Sequence, residues 1–555
     1  MISVDLLRRT LLAALASASL VLTGVATATP AASAPLPNSK PDAGALAAHL
    51  LDQPLAWEPC TWETLPAEQR PFVAPFLDMV PGVACATVTV PRDWHHPTDG
   101  HTIELRITRT GTAHPSAPQG IIMTNPGGPG AAGTFIAPLM AMAVPTVSAE
   151  FDFWGMDPRG VGESTRLTCT ADTPPTTTAE AVAGCLDEEL TPYITTEQTA
   201  HDLDFVRALA GEETLNYLGT SYGTWLGSWY QRLFPHRSGR FVFDSAVDLS
   251  RTTLQDTWDL QPPSRDRQFQ ESLLPYVARN AAAFGASSDD PLVLRRQWEE
   301  AGGLGGPLAE QVLGVVLDAL YSNSRYPVAA RVIVAYIALG GDAALGDTDP
   351  AVAFDALLRE AAVDPAEVAD PVSYDMAFDA VRCQDGPWKH SMGYWDAWLR
   401  DLDRKAPFIA PITNVPACAW WPHVTQMPRK LSPKQAPSTL IVQSELDAAA
   451  PYEGGLRSAR LLHNTALVSI DNEGSHGVYP YGTTCVDDKV ETYLLTSQLP
   501  EPYTVCQARP LPLEDQTYEV GGTIGPKDTI RIKMRTDEVK QANRMLRELT
   551  KESTR

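Results

Sequence analysis

Asn216-Tyr217-Leu218-Gly219-Thr220-Ser221-Tyr222-Gly223 is the stretch on which the reading of this sequence turns. A strand-like run leads into a G-x-S-x-G pattern, and Thr224 to Phe234 continues in residues that suit a helix. A serine at a sharp strand-to-helix turn projects its hydroxyl from the sheet edge, and the flanking glycines remove side chains that would collide there. Such a turn also aims the first backbone N–H groups of the helix at the reacting centre. Ser221 is therefore the candidate nucleophile.

Outward from this point, strand-like runs recur at Ala86–Val90, Ile103–Thr108, Gly120–Thr124, Phe151–Trp154, Phe241–Phe243, Leu440–Val442 and Ala466–Ile470. Helical patterns, such as Glu197–Leu209, separate most of them. That alternation predicts an α/β fold, a mostly parallel central sheet with helices on both faces. Between about 250 and 430 the strand signal fades. Leu254–Leu260, Phe269–Phe284, Leu308–Tyr321, Ala329–Leu339 and Ala351–Ala362 read as helices there. An insertion placed between sheet strands would lie over their carboxyl ends as a cap. The expected organisation is a first core part at 55–249, a helical cap at 250–430 and a second core part at 431–515. A polar tail follows at 516–555, with an amphipathic helix at Asp537–Lys551.

A serine nucleophile needs a base, and the base an orienting acid. In the α/β-hydrolase fold these follow in the chain order nucleophile, acid, histidine. Asp447 stands just past the run Leu440–Val442, and His476 lies in Glu473-Gly474-Ser475-His476-Gly477, past Ala466–Ile470. Small residues around a histidine suit a loop that carries an imidazole over the serine. Glu445 is the alternative acid, whereas His390, His423 and His463 lack a matching context. The triad expected is Ser221, Asp447 and His476. Donors for a developing oxyanion are expected from the backbone N–H groups of Tyr222 and of Gly128, in Asn125-Pro126-Gly127-Gly128-Pro129-Gly130 after the third strand.

Composition narrows the setting. The 555 residues are 44% hydrophobic and 20% charged, enough for a large core. Arg8 and Arg9 followed by the apolar stretch Leu11–Leu22 and Ala26-Thr27-Ala28 read as an export signal over 1–28, too short to span a bilayer. The paired arginines also suit a twin-arginine signal. A flexible segment rich in Ala and Pro is expected at 29–54. Export implies an extracellular protein with no stable membrane anchor after cleavage. The eight cysteines agree with that setting. They admit 105 full pairings. The sequential set is the one expected here: Cys60–Cys85, Cys169–Cys185, Cys383–Cys418 and Cys485–Cys506. No two of them have a C-x-x-C spacing, and no metal site or cofactor is expected. The net charge of −24 divides into +1 over 1–28, +4 over 527–555 and −29 over the remainder. So acidic a body argues against nucleic acid as a partner.

Taken together, Asn125–Gly130, Asp157-Pro158-Arg159-Gly160-Val161-Gly162-Glu163-Ser164 and the Gly-Thr-Ser-Tyr-Gly elbow resemble secreted bacterial tripeptidyl aminopeptidases and their proline-iminopeptidase relatives. The likeness runs from about residue 55 to 510, with a C-terminal segment similar to the family's terminal module. It implies release of short peptides, typically tripeptides, from peptide substrates with a free N-terminus, beneath a cap that restricts access. Ala131-Ala132 stands where many relatives have Gly-Ser, and Asp447-Ala448-Ala449-Ala450-Pro451 lacks the threonine often seen before that proline. An exopeptidase also has to hold the substrate ammonium, which calls for a carboxylate. Asp385, in Cys383-Gln384-Asp385-Gly386, resembles the family's Cys-x-Asp segment and is the first candidate, with Glu163 as the second. An esterase using the same three residues is the competing enzyme reading. A binding protein on a hydrolase scaffold would usually have lost one of them.

Overall fold

The computed structural model describes residues 43–65, 70–111, 118–169, 175, 177–306, 308–344, 348–363, 376–422 and 425–520. The export signal, His423 and the helix expected at Asp537–Lys551 lie outside them. Nine strands form one sheet: β1 (Ala84–Pro91), β2 (Thr102–Arg109), β3 (Ile121–Asn125), β4 (Asp152–Met156), β5 (Leu215–Thr220), β6 (Ser238–Asp244), β7 (Thr439–Ser444), β8 (Thr465–Asp471) and β9 (Tyr503–Gln507). Their spatial order is β1-β2-β4-β3-β5-β6-β7-β8-β9. β2 pairs antiparallel with both β1 and β4, and every later pairing is parallel.

Side-chain alternation along these strands builds a core on each face. Tyr217, Phe241, Phe243, Ile441 and Leu467 point to one face, where the helices Thr196–Leu209 and Tyr222–Leu233 cover them. Leu218, Val242, Leu440, Val442 and Val468 point to the other, beneath the helices Ile136–Ala143 and Thr484–Thr496. Each fully buried aromatic or branched side chain contributes roughly 1.5–3 kcal/mol. β9 is the one strand the sequence patterns missed. It is short, half exposed and closes the β8 edge.

Among the described residues, the chain between β6 and β7 is helix and loop. Its greater part has a core of its own, with Phe269, Leu273, Trp298, Val316, Tyr326, Ile333 and Phe408 at the centre. Ala380, Val381, Cys383, Trp388, Trp395, Cys418 and Trp421 instead join the sheet-face core around Trp225. The insertion therefore has two anchorages. The helices Pro291–Glu300, Met376–Gln384 and Met392–Lys405 are not among those read from the sequence.

Two boundaries need correction. Within the segment expected to be flexible, residues 43–54 are tied down. Ala43 and Ala47 are fully buried, Ala43 N donates to Asp204 Oδ2 at 2.8 Å, and Gln53 is bonded to Thr89. Small alanine side chains read as linker, yet they are what permits close packing on the helix Thr196–Leu209. The tail likewise begins later than 516: Thr517 is buried, Tyr518 stacks under Arg279, and Val520 N donates to Asn472 Oδ1 at 3.0 Å.

Candidate active site

Three loops meet beyond the carboxyl ends of the parallel strands. Ser221 directly follows β5, with φ 59° and ψ −126°, a conformation that non-glycine residues adopt only when their surroundings force it. The forcing is visible next door. A methyl carbon at Gly219 would sit 2.6 Å from the Gly223 carbonyl oxygen, and one at Gly223 would sit 2.8 Å from Asn125 O. Both glycines are required by space, while the strained dihedrals fall on the serine itself.

Asp447 and His476 occupy the loops after β7 and β8. Asp447 is fully buried, and its Oδ1 accepts from Ala449 N at 2.9 Å and Ala450 N at 2.8 Å. Its Oδ2 lies 2.9 Å from His476 Nδ1. The missing threonine before Pro451 therefore costs the carboxylate nothing, since backbone amides hold it. Glu445, the alternative acid, is turned away and accepts from Asn472 N at 2.7 Å. The histidine loop rests on the elbow: a methyl carbon at Gly477 would lie 3.2 Å from Thr220 Cγ2. His476 Nε2 is buried with no hydrogen-bond partner, so the serine–imidazole bond is not closed in this state. Such links commonly tighten only when substrate binds.

The glycine-rich loop after β3 packs on the same turn. Gly127 and Gly128 have φ 102° and 101°, and a methyl carbon at Gly127 would lie 2.5 Å from Thr220 O and 2.9 Å from Ser221 Cβ. Tyr222 opens its helix, so its N–H has no intrahelical acceptor. The segment Asp157–Ser164 supports this arrangement. Buried Asp157 accepts from Gly133 N and Thr134 N at 2.9 and 3.0 Å, and fully buried Arg159 grips Asp202 with two bonds of 2.7 Å.

Neither residue expected to meet a substrate ammonium offers a free carboxylate, and both assignments are corrected. Asp385 has no exposure. Its Oδ2 accepts from Trp225 Nε1 at 3.0 Å and from the Thr196 hydroxyl, and its Oδ1 accepts from Thr425 Oγ1 at 3.2 Å. Burial pushes its carboxyl up to about 7, against those hydrogen bonds. The Thr196 hydroxyl also bonds Tyr222 OH, so Asp385 stands behind the elbow rather than in front of it. Glu163 accepts from Thr61 Oγ1 at 2.6 Å and faces Arg106 Nε at 3.4 Å.

The structure joins Cys60 to Cys85, Cys169 to Cys185, Cys383 to Cys418 and Cys485 to Cys506. Among the described residues no group of three or more His, Cys, Asp or Glu is placed to hold a metal ion, and no helix is long and apolar enough to cross a membrane.

Several residues around the site carried no sequence signal. Asp244, at the end of β6, accepts from Val478 N at 3.0 Å and Tyr479 N at 2.8 Å, and burial raises its carboxyl to about 6. Glu473 accepts from Gly474 N, Ser475 N and the Tyr481 hydroxyl.

Residues 120–291 match a family model described as alpha/beta hydrolase fold, and residues 408–506 match one described as TAP-like protein. Over 462 residues the chain is 34% identical to a tripeptidyl aminopeptidase of Streptomyces lividans, covering 75% of this chain and 82% of that one. It is 27% identical over 511 residues to the serine protease Hip1 of Mycobacterium tuberculosis, covering 82% and 91%. A protein of the same organism named carboxylesterase B is 29% identical over 545 residues, covering 89% and 97%. With a strand-turn-helix serine, a buried Asp–His pair and a match of that extent, this chain belongs to the tripeptidyl aminopeptidase family of serine hydrolases with the α/β-hydrolase fold.

Proposed function

We propose that this protein is an exported serine peptidase that removes short peptides, tripeptides foremost, from the free N-termini of peptide substrates. The observation that carries the reading is the buried Asp447–His476 pair resting on the strained turn at Ser221. In the proposed sequence His476 Nε2 takes the proton from Ser221 Oγ as the oxygen attacks the scissile carbonyl. Asp447 holds the imidazole through Nδ1 and stabilises the cation that forms. Tyr222 N–H and Gly128 N–H receive the oxyanion. His476 then passes its proton to the departing amine, and water repeats the cycle on the acyl-serine. The helical cap expected at 250–430 limits what can approach. Export is supported by the signal-like N-terminus and by four disulfides, which persist in oxidising compartments.

Replacing Ser221 with alanine should lower turnover of a tripeptidyl anilide by about 10⁴-fold or more while leaving the melting temperature in place. Retained turnover would remove the serine mechanism. N-acetylation of the same anilide should slow cleavage strongly. Indifference to the blocked amine, with faster turnover of simple esters, would replace the aminopeptidase reading with an esterase.

A further inference from the structure

Four successive residues ending at the catalytic histidine each share a hydrogen bond with the cap. Asn323 Nδ2 donates to Glu473 Oε1 at 2.8 Å, and Gln268 Nε2 donates to Gly474 O at 3.0 Å. Asn323 N donates to Ser475 Oγ at 3.1 Å, and His476 N donates to Tyr321 O at 2.9 Å. The Tyr321 ring meets the imidazole edge-on, with centroids 5.4 Å apart. Gln268 is completely buried and Asn323 nearly so. The fit leaves no slack: a methyl carbon on Gly474 would sit 2.3 Å from Gln268 Nε2 and 2.7 Å from Asn323 Oδ1.

The cap side of this contact is rigid. Asn323 lies in the corner between the helices Ala309–Tyr321 and Tyr326–Ala338, whose buried faces form the cap core. Gln268 precedes a π-helical turn, Phe269–Leu273, and also bonds Tyr326 OH at 3.4 Å. Wide turns of this kind recur at functional sites. On the core side, Ser444 Oγ donates to Ser475 O at 2.6 Å. The histidine loop is thus held between the two.

We propose that Asn323 and Gln268 are positioning residues for the general base: the cap corner fixes where the His476 imidazole sits above Ser221. This inference rests on the reading of His476 as the base. A misplacement of about 1 Å in a reacting group costs on the order of 10²-fold in rate. The Asn323 amide also donates to a buried carboxylate, a bond of the stronger, charge-assisted kind.

The test uses Asn323→Ala and Gln268→Met in the full-length protein. The second keeps volume and removes only the amide, so it decides the matter should the first not fold. Expected for each folded variant is a kcat on a tripeptidyl anilide lowered about tenfold or more, with KM within about twofold. Labelling of Ser221 by a fluorophosphonate should slow in parallel. Wild-type kcat and a wild-type labelling rate in both variants would overturn the proposal. If the unmodified protein resists the probe and Ser221→Ala still turns over, the reading of the base fails first and takes this inference with it.

Discussion

The elbow and the histidine loop face the same small volume but are held by different means. The elbow is set by short-range crowding. Gly219, Gly223 and Gly127 leave no space for a side chain, and the strain falls on Ser221. The loop from Glu473 to Tyr479 is set by hydrogen bonds with distant positions: Asp244, Ser245, Gln268, Tyr321, Asn323 and Ser444. A nucleophile that has to occupy one spot can be built by sterics from its immediate neighbours. The histidine loop adds to such contacts, at Gly474 and Gly477, a set of hydrogen bonds that reach it from elsewhere in the chain.

That contrast can be broken by experiment. The largest effect is expected where the glycine-rich loop packs on the elbow. Gly127→Ala would place a methyl on a left-handed backbone and drive it into Thr220 O, so activity should fall about 10²–10³-fold with a clear loss of melting temperature. A near-normal enzyme would mean that sterics do not set the elbow. At the histidine loop, Glu473→Ala should cost more activity than Glu473→Gln, which keeps one acceptor oxygen and should lose only about tenfold. Equal loss in the two would point to the charge rather than the hydrogen bonds.

The smallest effect is expected at Asp385, which touches neither loop's backbone. Its folded-state value of about 7 lies above the ordinary 3.8, so the folded protein holds a proton that the unfolded chain has released. Its contribution is complete below about pH 4 and is lost as pH rises to about 7. Asp385→Asn should therefore flatten the fall in melting temperature across that window. An unchanged slope by calorimetry would remove Asp385 as its source.

The same contrast explains what could be read from the chain. Gly219-Thr220-Ser221-Tyr222-Gly223 was legible because its geometry is local, and eight strands announced themselves through β-branched and aromatic runs. Asp447 and His476 are put forward through chain order, and the structure brings their side chains together. Asn323, Gln268 and Asp244 were not, because nothing local distinguishes an amide or carboxylate that meets its partner more than a hundred positions away. Asp385 was misread for the reverse reason. It was chosen by resemblance to a family segment, whereas the Cys383–Cys418 bond and the bridge to Thr425 fold it inward.

The long separation between Ser221 on one side of the cap and Asp447 and His476 on the other has a temporal meaning. On the proposed roles, a chain that emerges from its N-terminus presents Ser221 about 250 residues before His476 exists to activate it. Hydrolytic competence is thereby deferred to the last stage of synthesis. A molecule cut short before the eighth strand would lack the proposed base, whatever else of it has folded.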